Sequence, residues 1–314
     1  MVGGNPCNVG VRFIEPAGAM NRAPTKNMLI KSNESLANHT TFKIGGRAAF
    51  FAEPENLCEV KELIGQAREK SQPFFILGAG SNLLVRDEGF DGIVISTRRF
   101  NRISWTGRYV LAESGALVSQ ILKFGVKYNL AGFEFLTGIP GSLGGVLLMN
   151  SGVRVPKEQS VSQVVAGIKV LDENMEEVEL IAAEASFSYR SSGLFRFPFV
   201  VSASLEAKPV ERNDEIKKKI NAYISGRSSS QPKGYPSAGS IFKNPIGEAA
   251  GRLIESAGCK GWRQGGAVVS DKHANFILNI DHATASDVLG LIEKIREAVY
   301  DKFSVNLDLE IKIL

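Results

Sequence analysis

The sequence predicts an α+β protein of two domains, and three observations carry that reading. The chain has 314 residues, enough for two domains at roughly 100–200 residues each. Hydrophobic residues make up 44% and charged residues 22%, a globular balance with enough apolar surface to bury a large core. Short apolar runs alternate with helix-period segments as far as Lys208, after which the composition becomes more charged and polar.

Residues 1–28 stand apart. They are rich in Gly, Asn, Pro and Ala, with Arg12, Arg22 and Lys26 against a lone Glu15. They hold no apolar run of the kind a secretory signal needs and read as a flexible N-terminal extension. The body begins near Leu29. Arg47–Glu53 reads as a strand. Pro54 then opens a helix running to Lys70, at the position where a missing N–H costs nothing, with Val60, Leu63, Ile64 and Ala67 on one face. Pro73–Leu77, Gly92–Thr97 and Tyr109–Glu113 read as strands and Leu117–Leu130 as a helix. Val164–Leu171 and Glu177–Ile181 form a hairpin around Asp172-Glu-Asn-Met175, and Phe199–Leu205 is a further strand. Past a boundary at 209–215, Glu211–Arg227 is a charged helix and Ser228–Ser240 a polar loop or hairpin. Gly247–Ala257 and Thr284–Tyr300 are helices, the second opened by the capping-box pattern Thr284-Ala-Ser-Asp287. Leu307–Leu314 closes the chain as a strand with alternating apolar residues. The organisation expected is an extension over 1–28, a domain over 29–210 dividing near residue 100, and a domain over 211–314.

Composition excludes several functions. The formal net charge is +4, from 37 basic and 33 acidic residues. Such a mild excess suits an anionic small ligand and lacks the basic stripe of a nucleic-acid binder. No apolar stretch approaches membrane-spanning length. Three cysteines and three histidines, without Cys-x-x-Cys or His-x-x-x-His spacing, argue against a disulfide framework, a zinc site or any other metal centre. A cytoplasmic protein is expected.

The glycines are the informative residues. Gly78-Ala79-Gly80-Ser81-Asn82-Leu83 follows an apolar strand, but Leu83 stands where a dinucleotide fingerprint needs its last glycine, and no helix-forming run follows. Two glycines around Ala79 still permit close backbone approach and can aim N–H groups at a phosphate, and Ser81 and Asn82 add side-chain donors. Gly138-Ile139-Pro140-Gly141-Ser142-Leu143-Gly144-Gly145 cannot lie inside a regular element. It reads as a turn feeding a short buried helix whose N-terminus is an anion site. Either loop alone could be a structural turn; together they favour a ligand with two phosphates.

Six motifs occur in order: His39-Thr-Thr-Phe-Lys-Ile-Gly-Gly46, Leu77–Leu84, Gly138–Gly145 with Met149-Asn150, Tyr189-Arg190, Gly239-Ser-Ile-Phe-Lys-Asn-Pro245, and Lys272-His-Ala-Asn-Phe276. In these the chain, from about residue 36 to its end, resembles the UDP-N-acetylenolpyruvoylglucosamine reductase (MurB) family of peptidoglycan synthesis. The short interval between Arg190 and Ser240 is similar to the type II form. The resemblance implies a PCMH-type (vanillyl-alcohol-oxidase-like) FAD-binding domain followed by a smaller α+β substrate-binding domain. It implies non-covalent FAD held by Gly78, Ala79, Gly80, Ser81, Asn82, Leu83, Ile139, Pro140, Gly141, Ser142, Gly144 and Gly145. NADPH is then the hydride source and a UDP-sugar the substrate, with no nucleic-acid, membrane or metal partner, in a monomer. Two departures stand out: Met149-Asn150 continues as Ser-Gly-Val-Arg154, and the family's terminal Glu-Val-Arg is Glu310-Ile-Lys312, which exchanges a bidentate guanidinium for a point charge.

The reaction so implied reduces an enolpyruvyl ether to a lactyl ether. The resemblance makes Ser240 the proton donor, Arg190 the cation that stabilises enolate-like oxygens, and Glu310 an acid that holds or protonates the intermediate. Lys243 and Asn244, then Tyr235, Lys272 and His273, are its substrate contacts. Without the motifs, Ser240 is a turn serine, Arg190 a surface ion-pair residue and Glu310 one carboxylate on a solvated strand face. Two other readings stay open: a PCMH-type oxidase acting on an alcohol or sugar acid, and a flavin- or UDP-sugar-binding protein without turnover.

Overall fold

The computed structural model describes residues 12–13, 28–153 and 159–314. The flexibility expected of the rest of the extension, and the departure at Arg154, lie outside the described residues. The chain forms two compact units, each assembled from three segments. The first takes the stretch ending at Glu34, Ala48–Gly78 and Asp91–Lys217; the second takes Ser35–Arg47, Ala79–Phe90 and Lys218–Leu314. Continuous halves divided at 210 were expected. Composition could not show the difference, because the short segments 35–47 and 79–90 join the second unit through its core: Phe42, Ile44 and Leu84 pack there with residues from far along the chain.

The first unit contains a five-stranded sheet in the order Arg12–Phe13, Leu29–Ser35, Arg47–Ala52, Phe90–Ser96, Phe74–Leu77. The last two run parallel, with Phe74 opposite Ile93. Leu29–Ser35 gave no strand signal because only its first two residues are apolar. Helix α1 spans Leu57–Glu69, three residues later than Pro54 suggested. Asn56 is the cap: its side chain accepts from the Glu59 N–H at 3.0 Å, while Glu59 accepts from the Glu55 N–H at 2.7 Å. A side-chain cap and its reciprocal carboxylate fix a helix start more firmly than proline's tolerated position does. The face predicted for α1 is the one buried, with Val60, Leu63, Ile64 and Ala67 in a core shared with Ile93, Ile95 and Phe199. Phe100 meets Phe199 edge to face at 5.4 Å.

A second five-stranded sheet of this unit runs Glu177–Ile181, Val165–Leu171, Phe199–Glu206, Tyr109–Glu113, Ile103–Trp105, antiparallel throughout. The predicted hairpin is present, with Ile168 opposite Leu180. Helices α2 (Val118–Lys127) and α3 (Leu143–Leu148) complete the unit. Cys259 is free and buried, and burial pushes its thiol up to about 11.

Helix α4 spans Asp214–Ser230. The second unit holds α5 (Ala250–Ser256) and α6 (Ala285–Phe303). The Thr284 capping box forms as predicted: the Asp287 N–H donates to Thr284 Oγ1 at 3.0 Å and the Thr284 N–H to Asp287 Oδ2 at 2.9 Å. Val288, Leu291, Ile292, Ile295 and Val299 of α6 pack with Leu253 and Ile254 of α5 and with Phe242. A three-stranded antiparallel sheet, Arg263–Gln264, Ala267–Val269 and Ile277–Asn279, was not expected. The terminal strand is shorter than Leu307–Leu314: only Lys312–Ile313 pair, parallel with Leu83–Leu84, while Leu309 bridges to Phe242. One segment serving two partners in turn cannot stay a single regular strand. Among the described residues no helix is long and apolar enough to cross a membrane.

Candidate active site

In the first unit the strand Phe74–Leu77 delivers Gly78 to the second glycine loop. A Cβ on Gly78 would lie 2.4 Å from Ser142 Oγ, so any side chain there would displace that hydroxyl. Ser142 begins α3, but the leading N–H groups of that helix are already committed: Leu143 donates to the Ala116 carbonyl at 2.8 Å and Gly144 to the Ser114 carbonyl at 2.7 Å. Two N–H groups of this helix start are therefore taken up within the chain. Gly141 is also committed, its carbonyl accepting from the Val118 N–H at 2.9 Å, and Ile139 donates to the Leu136 carbonyl at 3.1 Å. Ser114, Thr137 and Ser142 are buried, and none of their hydroxyls has a hydrogen-bond partner. An unsatisfied buried polar group costs roughly 1–3 kcal/mol. Three of them around one glycine loop fit a bound polar ligand. A Cβ on Gly145 would meet nothing nearer than Ser142 Oγ at 3.7 Å, so space lies open over that residue. Ser114 and Thr137 escaped the sequence reading because neither belongs to a motif.

The rest of the first loop belongs to the second unit. Gly80 has φ +63°, and a Cβ there would lie 2.1 Å from the His39 carbonyl oxygen. Its own carbonyl accepts from the Thr41 N–H at 3.0 Å. The Asn82 side-chain amide donates to the Glu310 carbonyl at 3.0 Å, and its carbonyl accepts from the Lys312 N–H at 3.0 Å. Leu83 is buried and pairs with Lys312. Ala79 and Ser81 are half-buried.

Arg190 occupies a two-residue turn of the first unit. Ser188 and Ser191 exchange backbone bonds at 3.0 and 3.3 Å across Tyr189 and Arg190. Arg190 has φ +54°, a conformation that costs a non-glycine residue energy and persists only where its surroundings impose it. Those surroundings are visible: the Asn150 side chain donates to the Ser188 carbonyl at 3.0 Å and accepts from the Ser162 N–H at 3.2 Å, and the Ser192 hydroxyl donates to the Leu148 carbonyl at 3.0 Å. The guanidinium lies over the Tyr189 ring at 5.3 Å. Asn150, part of the quoted motif but given no role there, thus orients the arginine turn.

In the second unit Ser240 and Glu310 fall on adjacent segments. The Glu310 N–H donates to the Ile241 carbonyl at 2.8 Å, and the Lys243 N–H to the Asp308 carbonyl at 2.8 Å. On the other edge Ser240 bridges to Phe276. Both residues are half-buried, neither in the core nor on an open face. Lys243 is half-buried. Asn244 Oδ1 accepts from the Ala250 N–H at 2.9 Å and so holds the start of α5. Tyr235 is exposed. Lys272 Nζ donates to the Ser228 carbonyl at 2.7 Å, tying down the end of α4. Burial holds the His273 imidazole below its ordinary value, with the Lys260 charge acting in the same sense. Its Nδ1 accepts from the Asn275 N–H at 3.3 Å, as a neutral ring can.

Residues 231–314 match the family model described as UDP-N-acetylenolpyruvoylglucosamine reductase, C-terminal domain, and residues 48–180 match an FAD binding domain. A UDP-N-acetylenolpyruvoylglucosamine reductase of Moorella thermoacetica is 43% identical over 284 residues, covering 90% of this chain and 93% of that protein. The chain belongs to the UDP-N-acetylenolpyruvoylglucosamine reductase family. Another such reductase, of Carboxydothermus hydrogenoformans, is 41% identical over 307 residues, 94% of this chain and 99% of that one. The crystal structure of the Thermus caldophilus enzyme superposes with a TM-score of 0.77 at 32% identity, over 91% of this chain and 98% of that chain. Physcomitrella patens BBE-like 1 shares the fold, with a TM-score of 0.54 at 10% identity over 87% of this chain and 86% of its own. The reductase-family chain is accordingly α+β, with a PCMH-type FAD-binding domain.

Proposed function

We propose that the protein reduces the enolpyruvyl ether of UDP-N-acetylglucosamine-enolpyruvate to UDP-N-acetylmuramate, with NADPH as hydride source, as a monomer in the cytoplasm. Within the family match, the observation that carries this is the placement of Ser240 and Glu310 on hydrogen-bonded neighbouring segments, where a hydroxyl and a carboxyl can serve one proton transfer. FAD fits the residues present: Gly78, Ser142 and Gly145, with the unpartnered hydroxyls of Ser114 and Thr137, would hold its pyrophosphate. When bound, FAD supplies the hydride chemistry between NADPH and the substrate's terminal vinyl carbon.

The protein has two tasks left. Charge that develops on the enolpyruvyl carboxylate needs a cation, the role that the family resemblance gives Arg190. The carbon bearing the ether oxygen needs a proton, which Ser240 donates. A hydroxyl is a weak acid and depends on a polar partner, the role of Glu310. Lys243 and Asn244 follow Ser240 directly and, with Tyr235, Lys272 and His273, bind the UDP-sugar. Lys243 and Lys272 bring positive charge to its pyrophosphate. Lys312 keeps the charge of the family's arginine but not its two-point geometry.

The test is the absorption spectrum of the purified holoprotein. Under anaerobic conditions NADPH should bleach the flavin band and the enolpyruvyl UDP-sugar should restore it. Oxygen consumption with an alcohol and no NADPH oxidation would point to an oxidase. UDP-sugar binding to a flavin that NADPH never bleaches would point to a binding protein.

A further inference from the structure

We propose that Asn275 is a positioning residue for the Ser240 hydroxyl, clamping the two residues that follow it. The inference rests on the reductase reading above. Asn275 lies in the Lys272–Phe276 motif and is only 4% exposed. Its Oδ1 accepts from the Phe242 N–H at 2.9 Å and its Nδ2 donates to the Phe242 carbonyl at 2.8 Å. Its own carbonyl accepts from the Ile241 N–H at 2.9 Å. One side chain thus gives Phe242 the two-point pairing that a neighbouring strand would give. The opposite edge is held by the Glu310 N–H on the Ile241 carbonyl and the Lys243 N–H on the Asp308 carbonyl, both at 2.8 Å. Four backbone polar groups of Ile241 and Phe242 are therefore committed, three of them to Asn275. That ladder sets the place of Ser240 relative to Glu310. Gly239, with φ +78°, turns the chain on the other side of Ser240.

The amide is matched to this task, because it carries one acceptor and two donors in one plane. Alanine removes both contacts. An ionised aspartate keeps the acceptor but sets a second oxygen against the Phe242 carbonyl. A protonated aspartate restores a donor beside an acceptor. Displacements of about 1 Å at a reacting group can cost on the order of a hundredfold in rate.

The experiment uses holoenzyme of wild type, Asn275→Ala and Asn275→Asp in anaerobic stopped flow, with NADPH bleaching and reoxidation by the enolpyruvyl UDP-sugar followed separately. Bleaching should stay within about twofold of wild type in both variants, while reoxidation falls by about a hundredfold at neutral pH. As pH falls, Asn275→Asp should regain at least tenfold relative to wild type at the same pH, and Asn275→Ala should regain nothing. A buried carboxyl protonates above its ordinary pKa. The titratable residues on the bonded segments, His273, Lys243, Asp308 and Glu310, are shared with wild type, so the ratio removes them. Exchange of the Ile241, Phe242 and Glu310 amides should quicken at least tenfold in Asn275→Ala whether or not substrate turns over. Unchanged exchange, equal slowing of both half-reactions, or an aspartate variant without pH recovery would each overturn the proposal. Asn275→Asp carries the test should the alanine variant fold poorly. A wild type that substrate cannot reoxidise would defeat the reductase reading alone and leave the exchange result to judge the clamp.

Discussion

The two glycine loops look alike in sequence and obey different constraints. At Gly80 the chain itself forbids a side chain: φ is +63° and the His39 carbonyl would sit 2.1 Å from a Cβ. At Gly145 the backbone is helical and a Cβ would make ordinary contact at 3.7 Å. The chain's own backbone demands glycine at 80, whereas it would tolerate a methyl group at 145. Gly78 lies between these cases, since what crowds it is the unpartnered Ser142 hydroxyl. A glycine-rich loop therefore marks close approach without saying whether the approaching group is ligand or backbone, and only a glycine that the backbone does not crowd can report on a cofactor.

The sharpest way to break this contrast is to fill each space. Gly80→Val should cost more than about 3 kcal/mol, because strained φ and a backbone clash add. The melting temperature should then fall by about 6 °C or more. A Gly80→Val protein with wild-type melting would show that His39 and Thr40 give way easily. Gly145→Ala should do the reverse. The apoprotein should melt at or slightly above the wild-type temperature, since alanine favours a helix over glycine by up to about 1 kcal/mol, yet FAD affinity by fluorescence titration should fall at least tenfold. Unaltered affinity would mean that the space over Gly145 is not where the cofactor lies.

A milder probe reaches the second unit alone. Because burial lowers the His273 pKa from 6.5, the unfolded chain takes up its proton first as pH falls. The stability that depends on neutral His273 is fully present above 6.5, and is lost as pH drops from there through the folded value. Urea unfolding should show this loss in wild type and less of it in His273→Gln, with FAD affinity unaffected. An identical pH dependence in the variant would remove His273 from the account.

Much of the fold was legible because some signals are local. The apolar face of α1, the Thr284 capping box and the Asp172–Met175 hairpin each depend on residues a few positions apart, and each formed. The unseen parts depend on distance in space. The three strands between Arg263 and Asn279 are two or three residues long, too short for periodicity to register. The C-terminal strand fails as a single element because Leu309 bridges to Phe242 and Lys312 pairs with Leu83. The candidate site divides the same way. Ser240, Glu310 and Arg190 came from motif order, whereas Ser114, Thr137 and the clamping role of Asn275 needed coordinates. The glycine run Gly138–Gly145 could not show that Ser114 and Ala116 supply carbonyls to the Gly144 and Leu143 N–H groups.

The central claim is that Ser240 delivers a proton to the substrate after hydride transfer from NADPH is complete, and Ser240→Ala tests it most directly. Stopped-flow absorbance should show NADPH bleaching the variant's flavin at a rate close to wild type, with reoxidation by the enolpyruvyl UDP-sugar slowed at least about a hundredfold, the lower end of what a positioned acid contributes. Substrate affinity should change much less, because the hydroxyl matters chiefly in the transition state. Equal slowing of both half-reactions would make Ser240 a structural residue, and undiminished reoxidation would assign the proton to another group, Glu310 first among them.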